Sequence, residues 1–267
     1  MTDPSRLVAW LDALPFAAMS TCGVPDVGVP GVRGVKSGVP VPQANLVGRA
    51  RLARADVEPA IRAVQQVFDG LPYTWVVGPL SQPPDLGDRL LLHGLQLGES
   101  LEGLAYRDWD RPLMRPSTVR VRSASADELT AHAAPLAAAY GMGMTADALA
   151  SSMRGVLAPT GGAGPATVGY LAWEAGSEEP VGWGTLTWLQ TDTALLNGSA
   201  TVPAARGRGV YRALTAARLE DAHHAGAAVV LVSAVADTSA PICRRLGFQP
   251  VCHLQHYLGN VAARPVG

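Results

Sequence analysis

Apolar and polar residues alternate with two different periods along this chain, and each change of period marks an element. Over 181–189, Trp183, Thr185, Thr187 and Leu189 alternate with Gly182, Gly184, Leu186 and Trp188, the period of two of a strand with unlike faces. With 166–173 and 194–202 this stretch predicts an antiparallel meander, the last strand stopped by Pro203. Beyond a turn, Val210, Ala213, Leu214 and Ala217 recur at helical spacing. A strand over 228–234, a helix over 239–246 and a further strand complete this half. Upstream, 119–122 reads as a strand. Ser125-Ala126-Asp127-Glu128 is a capping box that opens a helix through Ala139 in spite of Pro135. Thr145 caps a helix to about Met153, and 161–165 is a flexible turn.

The first 112 residues are less regular. Leu7, Val8, Leu11 and Leu14 predict a short helix over 6–19 that ends near Pro15. Residues 22–42 are crowded with Gly, Pro and Val; proline removes donors and glycine adds unfolded-state entropy, so an extended surface arm is expected. From Gln43 the pattern sharpens into a strand over 44–48, a helix over 56–68 with Val57, Ile61, Val64 and Phe68 on one face, a strand over 73–77 and a helix over 85–93. That helix ends in Leu92-His93-Gly94-Leu95-Gln96, to be set beside Arg245-Leu246-Gly247-Phe248-Gln249. Both segments run strand, helix, strand, helix, Gly, strand, the signature of a degenerate internal repeat. The chain therefore divides into an irregular segment 1–42, a degenerate half-domain 43–112 and a full unit 117–267, with the linker at 111–117. The fold class is α/β: a central mixed sheet flanked by helices, preceded by a partial copy of the same fold.

The turn before Val210 reads Arg206-Gly207-Arg208-Gly209. Two glycines at a helix start permit unusual dihedrals and close approach of a ligand, and the first free N–H groups of the helix then favour an anion. An irregular turn without a ligand is the competing reading of the glycines alone. Two phosphate loops are excluded by spelling. A P-loop needs Gly-Lys-Ser/Thr, and Lys36 is the sole lysine; the dinucleotide fingerprint needs a small residue where Arg212 stands.

The run Arg206-Gly207-Arg208-Gly209-Val210-Tyr211 resembles motif A of the GNAT acetyltransferases, Arg/Gln-x-x-Gly-x-Gly/Ala after a strand. Leu246-Gly247-Phe248 resembles that family's Leu-Gly-Phe signature, and the likeness covers about residues 117 to 258. Tyr211 departs from the preferred Gly or Ala. The resemblance implies an N-acetyltransferase that passes an acetyl group from acetyl-CoA to a primary amine by direct attack, with CoA as product. It also implies that backbone N–H groups across Gly207, Arg208, Gly209, Val210, Tyr211 and Arg212 wrap the pyrophosphate, helped by the helix dipole. Main-chain groups near Thr201 and Val202 on splayed strands would meet the pantetheine, with the Val202 N–H as oxyanion donor, and Ser239 would join the cofactor site. Cys243 stands where many members carry a tyrosine that protonates the leaving thiolate, which makes it a candidate acid; packing is the competing reading. No carboxylate is an obvious base: Asp192 sits in one hairpin turn and Glu174, Glu178 and Glu179 around another. His223 and His224 fall late in the motif A helix and suit its C-terminal dipole. The acceptor pocket would lie between 140–145 and 253–257. The last strand of the family's fold is missing or is supplied by the first half.

Composition adds exclusions. With 48% hydrophobic and 16% charged residues and a net charge of −1, the chain reads as an ordinary globular protein. Neither the pI of about 6.6 nor the spread of basic residues suits nucleic acid. Cys22, Cys243 and Cys252 have neither disulfide nor zinc spacing, so no metal is expected and a reducing cytoplasm is the simplest home. Asp3 and Asp12 flank a short apolar run with no basic leader, and no apolar stretch is long enough to cross a membrane. The expected partner is a small-molecule amine, with the chain a monomer or homodimer. The alternatives are an acyl-CoA-binding sensor without turnover, or a tandem transferase resembling mycothiol synthase.

Overall fold

The computed structural model of the chain describes residues 3–20, 26–111, 115–140, 145–157 and 166–262. Its elements are α1 (Pro4–Ser20), β1 (Arg33–Lys36), β2 (Asn45–Gly48), α2 (Val57–Phe68), β3 (Tyr73–Val77), α3 (Leu86–Leu92) and β4 (Gln96–Tyr106) in the first half. The second half carries β5 (Val119–Ala124), α4 (Ala126–Ala131), α5 (Ala133–Tyr140), α6 (Ala146–Leu157), β6 (Thr167–Glu174), β7 (Gly182–Gln190), β8 (Thr193–Thr201), α7 (Val210–His224), β9 (Val229–Val235), α8 (Ser239–Leu246) and β10 (Gln249–Gly259). Cys22, Pro112, the 141–144 stretch of the expected acceptor pocket and the expected turn at 161–165 lie outside the described residues.

The strands form one sheet of order β1-β2-β3-β10-β4-β9-β8-β7-β6-β5. Exchanging each first-half strand of the repeat for its counterpart (β1 with β7, β2 with β8, β3 with β9, β4 with β10) leaves the order of the first eight strands unchanged when read from the other end. The repeat is therefore a pseudo-twofold about the antiparallel β4–β10 ladder, and the halves have traded last strands. β10 lies between β3 and β4, and β4 lies between β9 and β10. Of the two readings of the last strand, the second holds: β4 of the first half supplies it.

On one face of the second half, α7 and α8 cover Leu104, Tyr106, Leu186, Leu196, Val230 and Val232. The other face carries α4–α6 over Leu171, Trp173 and Trp183, and α1 over Ala105, Leu195, Val229 and Leu231. The capping box is present: the Ser125 Oγ accepts from the Glu128 N–H at 3.2 Å, and Glu128 accepts from the Ser125 N–H at 2.9 Å. Thr145 caps α6 through the Ala148 N–H at 3.1 Å.

Three expectations are corrected. The first helix does not end at Pro15 but continues to Ser20. Burial of Leu7, Leu11, Leu14 and Phe16, each worth roughly 1.5–3 kcal/mol, outweighs the roughly 3 kcal/mol cost of an interior proline. The segment 22–42 is not wholly an irregular arm, because β1 pairs with β2 from Arg33–Gly48 to Lys36–Asn45. Gly34 permits this approach; a Cβ there would stand 2.9 Å from the Leu46 carbonyl oxygen. The helix predicted through Ala139 breaks at His132 into α4 and α5, since Pro135 has no N–H for the Ala131 carbonyl.

Candidate functional site

A cleft opens in the second half where two parallel strands part. The β8–β9 ladder pairs Thr193 with Val229 through Leu196 with Val232 and then stops, although β8 runs on to Thr201 and β9 to Val235. At the parting point Gly198 has φ of 46° and makes a bulge against β7, which bends β8 away. A Cβ on Gly198 would stand 2.9 Å from the Trp183 ring. Beyond Leu196, no strand among the described residues lies beside one edge of β8.

The mouth of this cleft is the glycine turn. Gly207 and Gly209 take φ of 76° and 86°, values disfavoured for residues with a Cβ. A Cβ on Gly209 would also stand 2.9 Å from Pro116, while Gly207 faces open space. Gly209 is the N-cap of α7; among the described residues no side chain caps the helix, and its first turn holds no acid. The first α-helical bond here is Ala213 N–H to Gly209 O at 2.9 Å, so the amides of Val210, Tyr211 and Arg212 have no helical partner. The residues thus fit a pyrophosphate: free N–H groups, positive dipole end, and room that side chains would fill. Of the nearby arginines, Arg206 is structural, donating to the Thr201 and Ala139 carbonyls at 3.3 and 3.2 Å. Arg208 pairs with Glu174 at 3.0 Å, which commits the nearest carboxylate as well. Arg212 is exposed at the turn.

Behind the turn, α7 lies close on β7 because Gly182 and Gly184 face it: Cβ atoms there would meet Val210 and Leu214, and Arg218, at 2.7 to 3.2 Å. Tyr211 turns its ring away from the amides toward α8, and its hydroxyl is 3.4 Å from the Cys243 Sγ. Burial pushes the tyrosine hydroxyl and the Cys243 thiol up, so both are neutral near pH 7. Cys243 is fully buried. Glu102, on the strand that the first half supplies, is 7% exposed and pairs with Arg244 of α8 at 2.6 Å; its Oε2 is buried without a partner.

The structure gathers Thr201, Val202, Gly207, Arg208, Gly209, Val210, Tyr211 and Arg212 at the open end of the cleft, with Cys243 behind Tyr211. It gives two of the expected groups partners within the protein. The Val202 N–H, expected as the oxyanion donor, donates to the Val181 carbonyl at 2.9 Å, because the segment leading into β7 continues the pairing one residue past Gly182–Thr201. The Ser239 Oγ accepts from the Val235 N–H at 2.9 Å and closes the turn into α8. His223 stacks on Trp109 with ring centroids 4.8 Å apart. Sequence reasoning passed over Glu102, Ser199 and Arg218. A signal existed for the last: Val210, Leu214 and Arg218 stand at i, i+4 and i+8, a charge in an apolar stripe.

The sequence matches no protein-family model and no curated protein relative. Solved structures do resemble it along most of its length. A GCN5-related N-acetyltransferase from Kribbella flavida is 19% identical, covers 94% of this chain and 96% of its own, and superposes with a TM-score of 0.65. A tandem GNAT protein from the clavulanic acid biosynthesis pathway is 14% identical, with 97% of each chain covered and a TM-score of 0.57. A GCN5-related N-acetyltransferase from Sphaerobacter thermophilus is 16% identical over 86% of this chain and 76% of its own, with a TM-score of 0.59. The chain has the fold of these proteins, in tandem form. No described helix is long and apolar enough to cross a membrane.

Proposed function

We propose that this chain, which has the GNAT fold in tandem, is an N-acyltransferase that moves an acyl group, acetyl in the simplest case, from a CoA thioester to the primary amine of a small molecule. The observation that carries the reading is the parting of β8 from β9 at Leu196 and Val232 directly behind an uncapped, glycine-rich helix start. The turn amides and the α7 dipole hold the pyrophosphate, with Arg212 free to add a charge. The thioester arm lies along the unpaired edge of β8, which offers main-chain groups in place of a third strand. An N–H from 197–201 replaces Val202 as donor to the carbonyl oxygen; such a donor typically lowers the barrier by about 3 kcal/mol.

The amine reaches the thioester from the α4–α6 face. Attack forms the C–N bond and breaks the C–S bond, leaving the electron pair on sulfur as a thiolate; the surplus ammonium proton goes to water, since Glu174 is held by Arg208. Calorimetry with CoA and acetyl-CoA, followed by a free-thiol assay across an amine panel, tests the reading. Micromolar binding with amine-dependent thiol release is expected. Binding without release from any amine favours the sensor, and no binding of either CoA species ends both.

A further inference from the structure

We propose that Arg218 and the Ser199 hydroxyl form an anion subsite at the apex of the β8–β9 cleft, which takes the negative charge at the sulfur end of a CoA thioester. The inference rests on the cleft being the acyl-donor site. Arg218 is 1% exposed, yet among the described residues no carboxylate pairs with it. Its Nε donates to the Leu214 carbonyl and its Nη1 to the Thr185 carbonyl, each at 3.0 Å, and its Nη2 has no partner. Main-chain carbonyls orient the guanidinium without neutralising it. A buried charge lacking a counter-ion is costly, so its retention calls for an anion.

None of the groups that act on it directly is an anion at neutral pH, and the nearby carboxylates are engaged elsewhere. Tyr170 of β6, Tyr211 of α7 and Cys243 of α8 act on Arg218, and burial keeps all three protonated. Asp221 accepts from the Tyr170 hydroxyl at 2.7 Å, and Glu102, beside Cys243, pairs with Arg244. On the strand side, the Ser199 Oγ is buried and has no partner among the described residues. It and the Arg218 Nη1 each lie 2.8 Å from the point a Gly184 Cβ would occupy, so the absence of a side chain at Gly184 lets hydroxyl and guanidinium approach each other over the same point of β7. The Thr201 Oγ1, two residues nearer the turn, is likewise buried and unpartnered.

Height along the cleft identifies the part of the donor concerned. Thr185 stands opposite Asn197, the first residue past the last β8–β9 pair, so the guanidinium is level with the apex. Arg218 follows Val210 by eight residues, about 12 Å along the helix from the pyrophosphate turn. Two anions of like chemistry can stand there: the CoA thiolate left when the C–S bond breaks, or the carboxylate of a dicarboxylic acyl group.

Calorimetry on the full chain separates them, using desulfo-CoA, CoA, acetyl-CoA and succinyl-CoA between pH 6.5 and 9. Desulfo-CoA reports the turn alone. The wild type is expected to bind CoA at least tenfold more tightly than desulfo-CoA at high pH, with the ratio growing as pH rises, if the thiolate is the guest. If the carboxylate is the guest, succinyl-CoA binds at least tenfold more tightly than acetyl-CoA at every pH. Either preference should vanish in Arg218→Met and shrink at least threefold in Ser199→Ala, with desulfo-CoA affinity unchanged. Should Arg218→Met not fold, Arg218→Lys and Ser199→Ala carry the same comparison. Absence of both preferences in the wild type, or a preference that survives in the variants, overturns the subsite. Failure of desulfo-CoA to bind the wild type overturns the donor cleft itself, and the subsite with it.

Discussion

The two halves present the same strand–turn–helix unit in opposite states. In the second, β8 leaves β9 after Leu196 and the turn opens through Gly207 and Gly209. In the first, β2 stays paired with β3 to its last residue, Gly48 with Val76. The chain beyond is stitched on: Gln82 N–H to Ala50 O at 2.9 Å, Leu52 N–H to Gln82 O at 3.3 Å and Arg51 N–H to Gly31 O at 2.7 Å. Helix α1 covers the closed seam. Its Phe16 ring would meet a Gly48 Cβ at 2.9 Å, and its Asp12, 3% exposed, pairs with Arg51 at 2.9 Å. A carboxylate of the protein thus occupies Arg51, one of the two arginines of the turn. The start of α2 is met by Asp56 and Glu58, whereas the first turn of α7 has no acid. One helix start is neutralised from within and the other is left for a ligand.

The sharpest way to break this contrast is at Gly209. Gly209→Glu forces a side chain into a positive φ, drives a Cβ against Pro116 and sets a carboxylate on the amides. CoA affinity is expected to fall more than a hundredfold, about 2.7 kcal/mol or more, while far-UV circular dichroism stays native. Retained micromolar binding in a calorimeter would refute the open turn as the anion site.

The traded strand gives the next test. Glu102 comes from the first half and anchors α8 of the second through Arg244. Glu102→Gln weakens a hydrogen bond to a charged group and leaves an amide in a largely buried place, a loss of about 1–3 kcal/mol reduced by the half-exposed arginine. A melting temperature lowered by a few degrees in one cooperative transition is expected, because the halves share their central ladder. Two separated transitions would mean that the exchange does not couple them.

Local pattern and long-range pairing differ in how far the sequence reveals them. The strand at Tyr73–Val77 and the face of α2 formed by Val57, Ile61, Val64 and Phe68 follow from composition and periodicity, and these side chains, the half-buried Val77 apart, are buried. The exchange of β4 and β10 is not written in either strand. β4 is irregular at its start and wholly buried at its end, and its choice of neighbour depends on the other half. Tyr211 and Cys243 teach the same lesson. Each departs from the motif at its own position, 32 residues apart, and their contact makes the two departures one adjustment. Arg218 was readable as a charge in an apolar stripe; its missing counter-ion emerges only with the helix packed on Gly184.

The closed half is sharpened by opening its lock. Asp12→Ala removes the carboxylate from Arg51, which is 42% exposed and can turn to water; the cost should be about 1 kcal/mol, read as a small drop in the urea midpoint. CoA stoichiometry should remain one per chain, because the β2–β3 ladder and the bonds to Gln82 stay in place. Two sites of equal affinity by calorimetry, in the wild type or in this variant, would show that the first half has kept a donor cleft.

Only a modest effect is expected at Cys243. The thiol is fully buried, raised by its surroundings and in contact with a hydroxyl that is itself neutral, so at pH 7 it is neither a thiolate nor an exposed donor. Its nearest cation in sequence, Arg244, is engaged by Glu102. Solvent can protonate a departing thiolate, and packing accounts for the residue. Cys243→Ser keeps a partner for the Tyr211 hydroxyl, while Cys243→Ala removes it; turnover should fall tenfold or less in both, about 1.4 kcal/mol of barrier, with Ser the milder. A thousandfold loss in single-turnover thiol release, with CoA affinity and melting temperature unchanged, would instead make Cys243 the proton donor to sulfur.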